Sequence, residues 1–532
     1  MKKYFFIHPL IYAILPTLLL YKLNISEAWP ALIVRPMIYS LFFGIASWIV
    51  FKLLLRDNHK TSTMTSVWLL SFFSYGHLYL FLANKGFFEL LPIGPHLFLL
   101  GSYLLVLNIS FLGLYFTKLK VNSLTAFFNV SALTLLLLNI IPLFPLEFKR
   151  IIALEKLHEY MAEQHLKDAE YSNMDEATYP DIYYLVFDRY PSHEIAKTYF
   201  NYDNQEFLEN LTDKGFFVAN DARANYPSSF QSISSSLNMS HLTFIKDLVG
   251  QDYSDQTIVY KELLNDNEVA QFLIDKGYNY YQLGSNWEPT KQNSLAINYN
   301  KYLGFNEFES FLYENTLLNA VKGKISGQAT FTGVDILNIH QKNMPYKVDK
   351  IKEISKDKGT KFVFAHFLLP HPPYLFANDC TPLTFDEVRK RPDEYAYTEQ
   401  IKCADKVMEE MAQEIIENDD RPIAIIFQSD EGPYMPYKYF KNEYQLVDTE
   451  NNDAYKIKAG ILNTFYLSNK DSNEEVVNYD EIGIKEDNTP VNTFRTIFNY
   501  YFGTDYSMEE NNTYIFGDNY RPYLLEPILD KI

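Results

Sequence analysis

Pro180-Asp181-Ile182-Tyr183-Tyr184-Leu185-Val186-Phe187-Asp188-Arg189-Tyr190 is an unbroken β-branched and aromatic run that stops at a carboxylate. Such a run reads as a buried parallel strand with Asp188 at its carboxyl tip. In open α/β sheets ligands bind outside the carboxyl ends of the strands, so an acid there is placed for chemistry. The pattern returns in Pro422-Ile423-Ala424-Ile425-Ile426-Phe427-Gln428, which leads into Ser429-Asp430-Glu431-Gly432-Pro433. Two acidic strand tips in one sheet are able to share a cation. Between them, Arg223-Ala224-Asn225-Tyr226-Pro227-Ser228-Ser229-Phe230 reads as a loop turning into a helix near Ser228. Ser229 then sits at a helix N-terminus, where unpaired N–H groups and the dipole favour an alkoxide or a phosphate.

A third strand tip carries two histidines, His366 and His371, in Ala365-His366-Phe367-Leu368-Leu369-Pro370-His371-Pro372-Pro373. Beside a Pro-rich turn they are able to ligate metal or to hydrogen-bond an anion. Each alone reads equally well as a structural histidine; the grouping with Asp188, Ser229 and Asp430 points to function.

Around this core the elements alternate. Helices are expected near 204–214, 260–276, 307–321, 394–417 and 491–502, and strands at 216–218, 278–283, 361–366, 422–428 and 461–467. That alternation predicts a mostly parallel sheet between helices. The stretch 324–343 lacks periodicity and reads as a surface excursion, and 448–453 and 469–488 read as solvated acidic loops.

The first 150 residues differ in kind. Five apolar runs, near 4–21, 31–55, 66–84, 96–116 and 124–146, predict five transmembrane helices. His8, Arg35 and His77 lie in or beside them and read as helix-contact or snorkelling residues rather than as a proton relay. Lysines and arginines gather in alternate loops, at Lys52, Arg56 and Lys60 and again at Lys118 and Lys120, which places the N-terminus in the cytoplasm and everything after the fifth run outside. Lys149 and Arg150 run against that bias. The expected division is a membrane domain over 1–150, a juxtamembrane connector over 151–179 and an extracytoplasmic domain over 180–532. Charge divides likewise: 12 Lys+Arg against 4 Asp+Glu over 1–150, and 35 against 62 beyond, a net −27 that argues against nucleic acid and favours cations. Cys380 and Cys403, the only cysteines, read as a disulfide in an oxidising compartment, or as two thiols.

The order strand-Asp, helix-start Ser, strand-His-x4-His-Pro, strand-Ser-Asp-x-Gly resembles the alkaline phosphatase superfamily in its sulfatase-like branch. Within it the architecture resembles membrane-anchored lipoteichoic acid synthases and lipid A phosphoethanolamine transferases. The resemblance implies a sulfatase-like catalytic domain using one divalent metal, Mn, Zn or Mg. It implies Asp188, Ser229, Asp430 and Glu431 as metal ligands, Ser229 as nucleophile, and His366 and His371 as catalytic groups at the leaving group or phosphoryl oxygens. Ser232 and Leu237 match the family's spacing after the nucleophile; Ser228 competes with Ser229, and a plain N-cap is the alternative for either. The sulfatase cysteine is absent, which disfavours formylglycine chemistry. Glu431 stands where the family has a histidine ligand, and Arg189 where two-metal relatives have a second Asp, so one main metal is expected.

The implied activity is phosphoryl transfer in the cell envelope from a lipid donor, on a membrane lipid or an envelope glycan or polymer. The alternatives are a hydrolase of phosphate or sulfate esters on envelope glycans, and an inactive relative that binds such a ligand.

Overall fold

The computed structural model describes residues 6–165, 179–300, 306–326, 334–418, 421–442, 445–447, 452–469, 472–517 and 521–532. The apolar runs form helices α1 (His8–Leu23), α2 (Val34–Leu55), α3 (Asn58–Asn84), α4 (Pro95–Phe116) and α5 (Asn122–Ile140), and α6 (Leu143–His165) follows. Four stretches, Pro30–Leu55, Asn58–Asn84, Pro95–Phe116 and Asn122–Glu163, are long and apolar enough to cross a membrane. The expected fifth, α1, is apolar but only 16 residues long, short of the ~20 that a perpendicular span needs. It stops where the Asn24 backbone N–H and side chain turn back onto the Leu20 carbonyl.

The chain divides into two compact units, one of Met1–Arg150 with Phe305–Ile336 and one of Ile151–Gly304 with Leu337–Ile532. In the first, Gly44 lets α2 approach α1: a Cβ there would lie 3.0 Å from that of Ala13. Polar groups in these helices find one another, His8 Nδ1 with Ser66 Oγ at 2.6 Å. Arg150 is buried and donates to the Tyr21 hydroxyl and to Glu147, each at 3.0 Å. It is therefore a packing residue, which explains why it runs against the charge bias.

The second unit is an α/β domain around an eight-stranded sheet. Its strands are β1 (Asp181–Phe187), β2 (Phe217–Val218), β3 (Asn279–Leu283), β4 (Ile297–Asn298), β5 (Lys361–Phe367), β6 (Ile423–Gln428), β7 (Asn463–Asn469) and β8 (Ser472–Val476), in the order β8-β7-β6-β1-β5-β3-β4 with β2 on β7. β1, β3, β4, β5 and β6 run parallel, while β2, β7 and β8 pair antiparallel. The gapless composition of β1 has a direct cause. Tyr183, Leu185 and Phe187 enter one buried cluster and Ile182, Tyr184 and Val186 another, because alternate residues face opposite sides of a strand and both sides are covered.

Several expectations shift. The helix expected over 260–276 is broken into Val259–Leu264 and Glu268–Asp275, because the Asn267 side chain accepts from Ala270 N–H and starts a new helix. The strand near 461–467 is present as β7, but antiparallel to β6. The excursion expected over 324–343 is helical where it is described, since Leu317–Ser326 and Val334–Ile354 are helices and Asn343 is buried; 327–333 lie outside the described residues, as do 166–178 of the connector and 448–451 and 470–471 of the acidic stretches. Ser472–Val476, expected as loop, adds the edge strand β8. Cys380 and Cys403 are joined in a disulfide.

At the amino ends of β1 and β5 the Asp181 carboxylate is paired with the Lys361 ammonium and accepts Lys361 N–H at 2.9 Å, both side chains buried. Removing one partner of a buried pair leaves the other charge without its counter-ion, which costs roughly 3–5 kcal/mol. Asp181→Ala is expected to lower the denaturant midpoint by that order, and Asp181→Leu with Lys361→Met to recover most of it.

Candidate metal centre and nucleophile

β1 is central, with β5 and β6 on its two sides, so the carboxyl ends of three parallel strands lie side by side. Each delivers one side chain. Asp188 follows β1, His366 is the sixth residue of β5 beside Val186, and Asp430 follows β6 two residues beyond Gln428. One ligand atom from each of the three lies within 4.8 Å of the others, and all three residues are buried. Asp188 Oδ1, His366 Nε2 and Asp430 Oδ2 are buried without a hydrogen-bond partner of good geometry. An unmet buried polar atom is costly; three converging ones form a set of lone pairs suited to a cation.

The surrounding bonds aim those atoms. Asp430 Oδ1 accepts the N–H groups of Glu431 at 2.9 Å and Arg189 at 3.3 Å, which leaves Oδ2 to face the group. His366 Nδ1 lies 2.8 Å from Thr290 Oγ1, and Trp287 packs edge-on against its ring. With Nδ1–H donating to Thr290, Nε2 carries the lone pair and stands 3.4 Å from Asp188 Oδ2. Burial pushes the Asp188 and Asp430 carboxyls up to about 7. For Asp188 the Arg189 charge opposes this, while for Asp430 the Asp188 charge adds to it and the Ser229 side chain lowers it slightly. Burial lowers His366 to about 4, so it is neutral, the form that ligates. The residues fit a divalent metal: two carboxylate oxygens and an imidazole nitrogen suit Zn²⁺ or Mn²⁺ better than an all-oxygen ion.

Ser229 is the first residue of the Ser229–Leu237 helix and is half-buried. Its rival Ser228 is the N-cap residue, is buried and donates to Gln231 Oε1 at 3.1 Å. Ser229 therefore combines access, the helix N-terminus and reach to Asp430.

Two expected site residues lie outside the three-residue group. Glu431 is buried, with Oε1 accepting from Arg189 Nε at 2.9 Å and Oε2 from Lys458 Nζ at 2.7 Å. The Arg189 guanidinium, on a backbone at φ +65°, also stacks 4.6 Å above the Tyr434 ring. Both Glu431 oxygens thus go to cations, and the imidazole of the group comes from β5 instead. Gly432 of the same turn is required by close approach, since a Cβ would lie 2.2 Å from the Ile457 carbonyl. His371 is half-buried and lies outside the three-residue group. Its Nδ1 contacts the Pro372 carbonyl, which can only accept, so Nδ1 holds the proton and Nε2 is a base. Burial, then the neighbouring Arg189 charge, holds its pKa well below the ordinary histidine value.

Sequence reasoning passed over Thr290, Trp287 and Lys458. Thr290 is held by a loop folded so tightly that a Cβ on Gly284 would meet its carbonyl at 1.9 Å. The one available signal was that this loop follows β3, a further parallel strand tip. Beside it lies a small cleft lined by Ser285, Asn286, His340, Asn343, Lys347 and Gln400, among others.

No protein-family model and no curated protein sequence matches the chain. Among solved structures, the integral membrane lipooligosaccharide phosphoethanolamine transferase EptA of Neisseria meningitidis is similar at 12% identity, covering 94% of this chain and 96% of that one, with a TM-score of 0.36. The C-terminal periplasmic domain of EptC from Escherichia coli aligns at 14% identity over 68% of this chain and 96% of its own, TM-score 0.41. That of EptC from Campylobacter jejuni aligns at 11% over 65% and 94%, TM-score 0.36.

Groups that orient a metal-ligating histidine are commonly worth 10–100-fold in metal affinity. Thr290→Val in the full chain is expected to weaken Zn²⁺ binding by about that factor in a chelator competition, and His366→Ala to weaken it further. Glu431→Gln is expected to lower the melting temperature while keeping the metal stoichiometry. Unchanged affinity in Thr290→Val would remove the assigned orientation of His366.

Proposed function

We propose that the chain is a membrane-anchored, metal-dependent phosphoryl-transfer enzyme of the cell envelope that moves a phospho-head group from a lipid donor through a covalent Ser229 intermediate. The observation that carries this is the convergence of three unpaired buried ligand atoms, from three strand tips, beside a half-buried serine at a helix N-terminus. Asp188, His366, Asp430 and the Ser229 hydroxyl would hold one divalent ion, Zn²⁺ or Mn²⁺ before Mg²⁺. When bound, the ion supplies Lewis-acid stabilisation of a phosphoryl oxygen and lowers the serine pKa. In this reading Glu431 is not a ligand but the counter-ion of Arg189 and Lys458. That triad carries a net single positive charge. Two ionised aspartates, the triad and a divalent cation sum to one positive charge, which attracts a phosphodiester anion.

Ser229 Oγ attacks phosphorus, with the helix N-terminus favouring the negative charge on the phosphoryl group. The bond to the lipid alkoxide breaks, the alkoxide takes the proton that the Ser229 hydroxyl gives up, and the head group is left as a phosphodiester on Ser229. His371 Nε2, carrying its lone pair, accepts the proton of the incoming hydroxyl in the second step, and Ser229 departs with its oxygen. A glycan or lipid hydroxyl makes the protein a transferase and water makes it a hydrolase. The catalytic unit lies outside the cytoplasm with the N-terminus inside, consistent with the loop charges.

Incubating the full chain with a head-group-labelled phosphatidylethanolamine is expected to place the label on the peptide containing Ser229, seen by mass spectrometry. The adduct should disappear in Ser229→Ala and persist in Ser228→Ala. An adduct at undiminished level in Ser229→Ala would sink the nucleophile assignment. His371→Ala is expected to form the adduct and lose at least ~100-fold in turnover, the size of a general-base contribution.

A further inference from the structure

Residues 307–326 interrupt the α/β unit in sequence, between β4 and β5, yet they pack with the membrane helices. They form two short helices, Glu307–Glu314 and Leu317–Ser326, joined by a turn at Asn315. Three contacts hold them. The Glu309 carboxylate, itself closing a capping box with Asn306, is paired with the Arg35 guanidinium at the start of α2. Phe308 is buried in a cluster with Tyr21, Ala28 and Leu143, and Ala320 in one with Tyr75 and Leu99. At the turn the Gly76 N–H donates to the Asn315 carbonyl at 2.9 Å, and a Cβ on Gly76 would lie 2.6 Å from Asn315 Cα. Gly76 is a seat shaped for this backbone.

The position of that seat is informative. Gly76 precedes Asn84, the end of α3, by eight residues, about 12 Å along a helix at 1.5 Å per residue. The 27 residues of α3 measure about 40 Å, against a hydrocarbon core of ~30 Å. Allowing ~5 Å of overhang at each end leaves the turn ~7 Å inside the hydrocarbon boundary. The polar groups there are met locally, as that depth demands: Asn315 Nδ2 donates to the Phe311 carbonyl at 2.8 Å and Thr316 Oγ1 to that of Tyr313 at 2.7 Å. Among the described side chains of 308–321 the exposed ones are apolar, Phe311 52%, Leu318 51% and Val321 36%. α4, whose Leu99 shares a cluster with Ala320, exposes Leu104 and Leu105 to 59% and 61%. Glu314 beside the turn fits that shallow depth and would not fit the bilayer centre.

We infer that residues 306–326 form a re-entrant helical hairpin that dips into one leaflet of the bilayer and presents Phe311, Leu318 and Val321 to phospholipid. The inference rests on the membrane-anchored reading above. The hairpin enters at the Asn84 end of α3, the end nearer to Gly76. The chain then passes between the two units three times instead of once.

The test uses the full chain in phosphatidylethanolamine–phosphatidylglycerol vesicles. Cys380 and Cys403 are bonded to each other, so single nitroxide labels are placed through Leu318→Cys and Phe311→Cys, with Leu104→Cys as a lipid reference and the exposed Asp275→Cys as an aqueous one. Collision rates with oxygen and with a water-soluble nickel chelate are compared. The expected result is that labels at 311 and 318 match Leu104→Cys, favouring oxygen several-fold over Asp275→Cys. Labels at 311 and 318 that match Asp275→Cys while Leu104→Cys reads as lipid would overturn the hairpin alone, and an aqueous Leu104→Cys would overturn the membrane reading beneath it. Adding Gly76→Leu to Leu318→Cys is expected to raise nickel collisions several-fold by unseating the turn; an unchanged rate would count against Gly76 as the seat.

Discussion

Two carboxylates and a neutral imidazole are held buried at the tips of three adjacent parallel strands, each with an unmet lone pair, and the rest of the α/β unit accommodates that burden. The sheet register places the three side chains on one edge. Backbone N–H groups take one oxygen of Asp430, and Thr290 takes one nitrogen of His366. What these bonds leave over points to a common centre. Burial raises both carboxyls to about 7, so without a cation the group is under electrostatic strain near neutral pH.

The neighbouring ion triad is the complement of that centre. Arg189 and Lys458 are buried cations, and Glu431 answers both. Replacing Glu431 would remove the carboxylate that both cations share. The imidazole of the group, His366, is carried by β5, which gives a mixed oxygen and nitrogen donor set. The left-handed backbone at Arg189 lets one residue serve both groups, with its N–H on Asp430 and its Nε on Glu431.

The membrane unit follows a similar economy. Its buried polar groups pair with one another, and Arg150, which disturbs the charge bias of the loops, is spent on packing the ends of α1 and α6. The same rule governs the 307–326 hairpin, where backbone and amide groups at the turn are met by Gly76 and by the hairpin's own carbonyls.

Strands β1, β5 and β6, their acidic or histidine tips and the helix beginning at Ser229 are legible in the sequence, because an apolar run broken by a charge is a local signal and both faces of a buried strand demand the same residue types. The apolar helices are legible for the same reason, though the length of α1 turned on how Asn24 folds back. The direction of β7, the break at Asn267, the partners of Glu431 and the companionship of His366 were not legible. Each depends on which residues distant in sequence meet: Glu431 with Arg189 and Lys458, His366 with Thr290, Asp188 and Asp430, Asn315 with Gly76. Composition and periodicity report what a residue is and which way its element faces. The partner of a buried charge is chosen only when strands are ordered in the sheet, and that ordering set Glu431 against Arg189 and Lys458 and His366 beside Asp188 and Asp430.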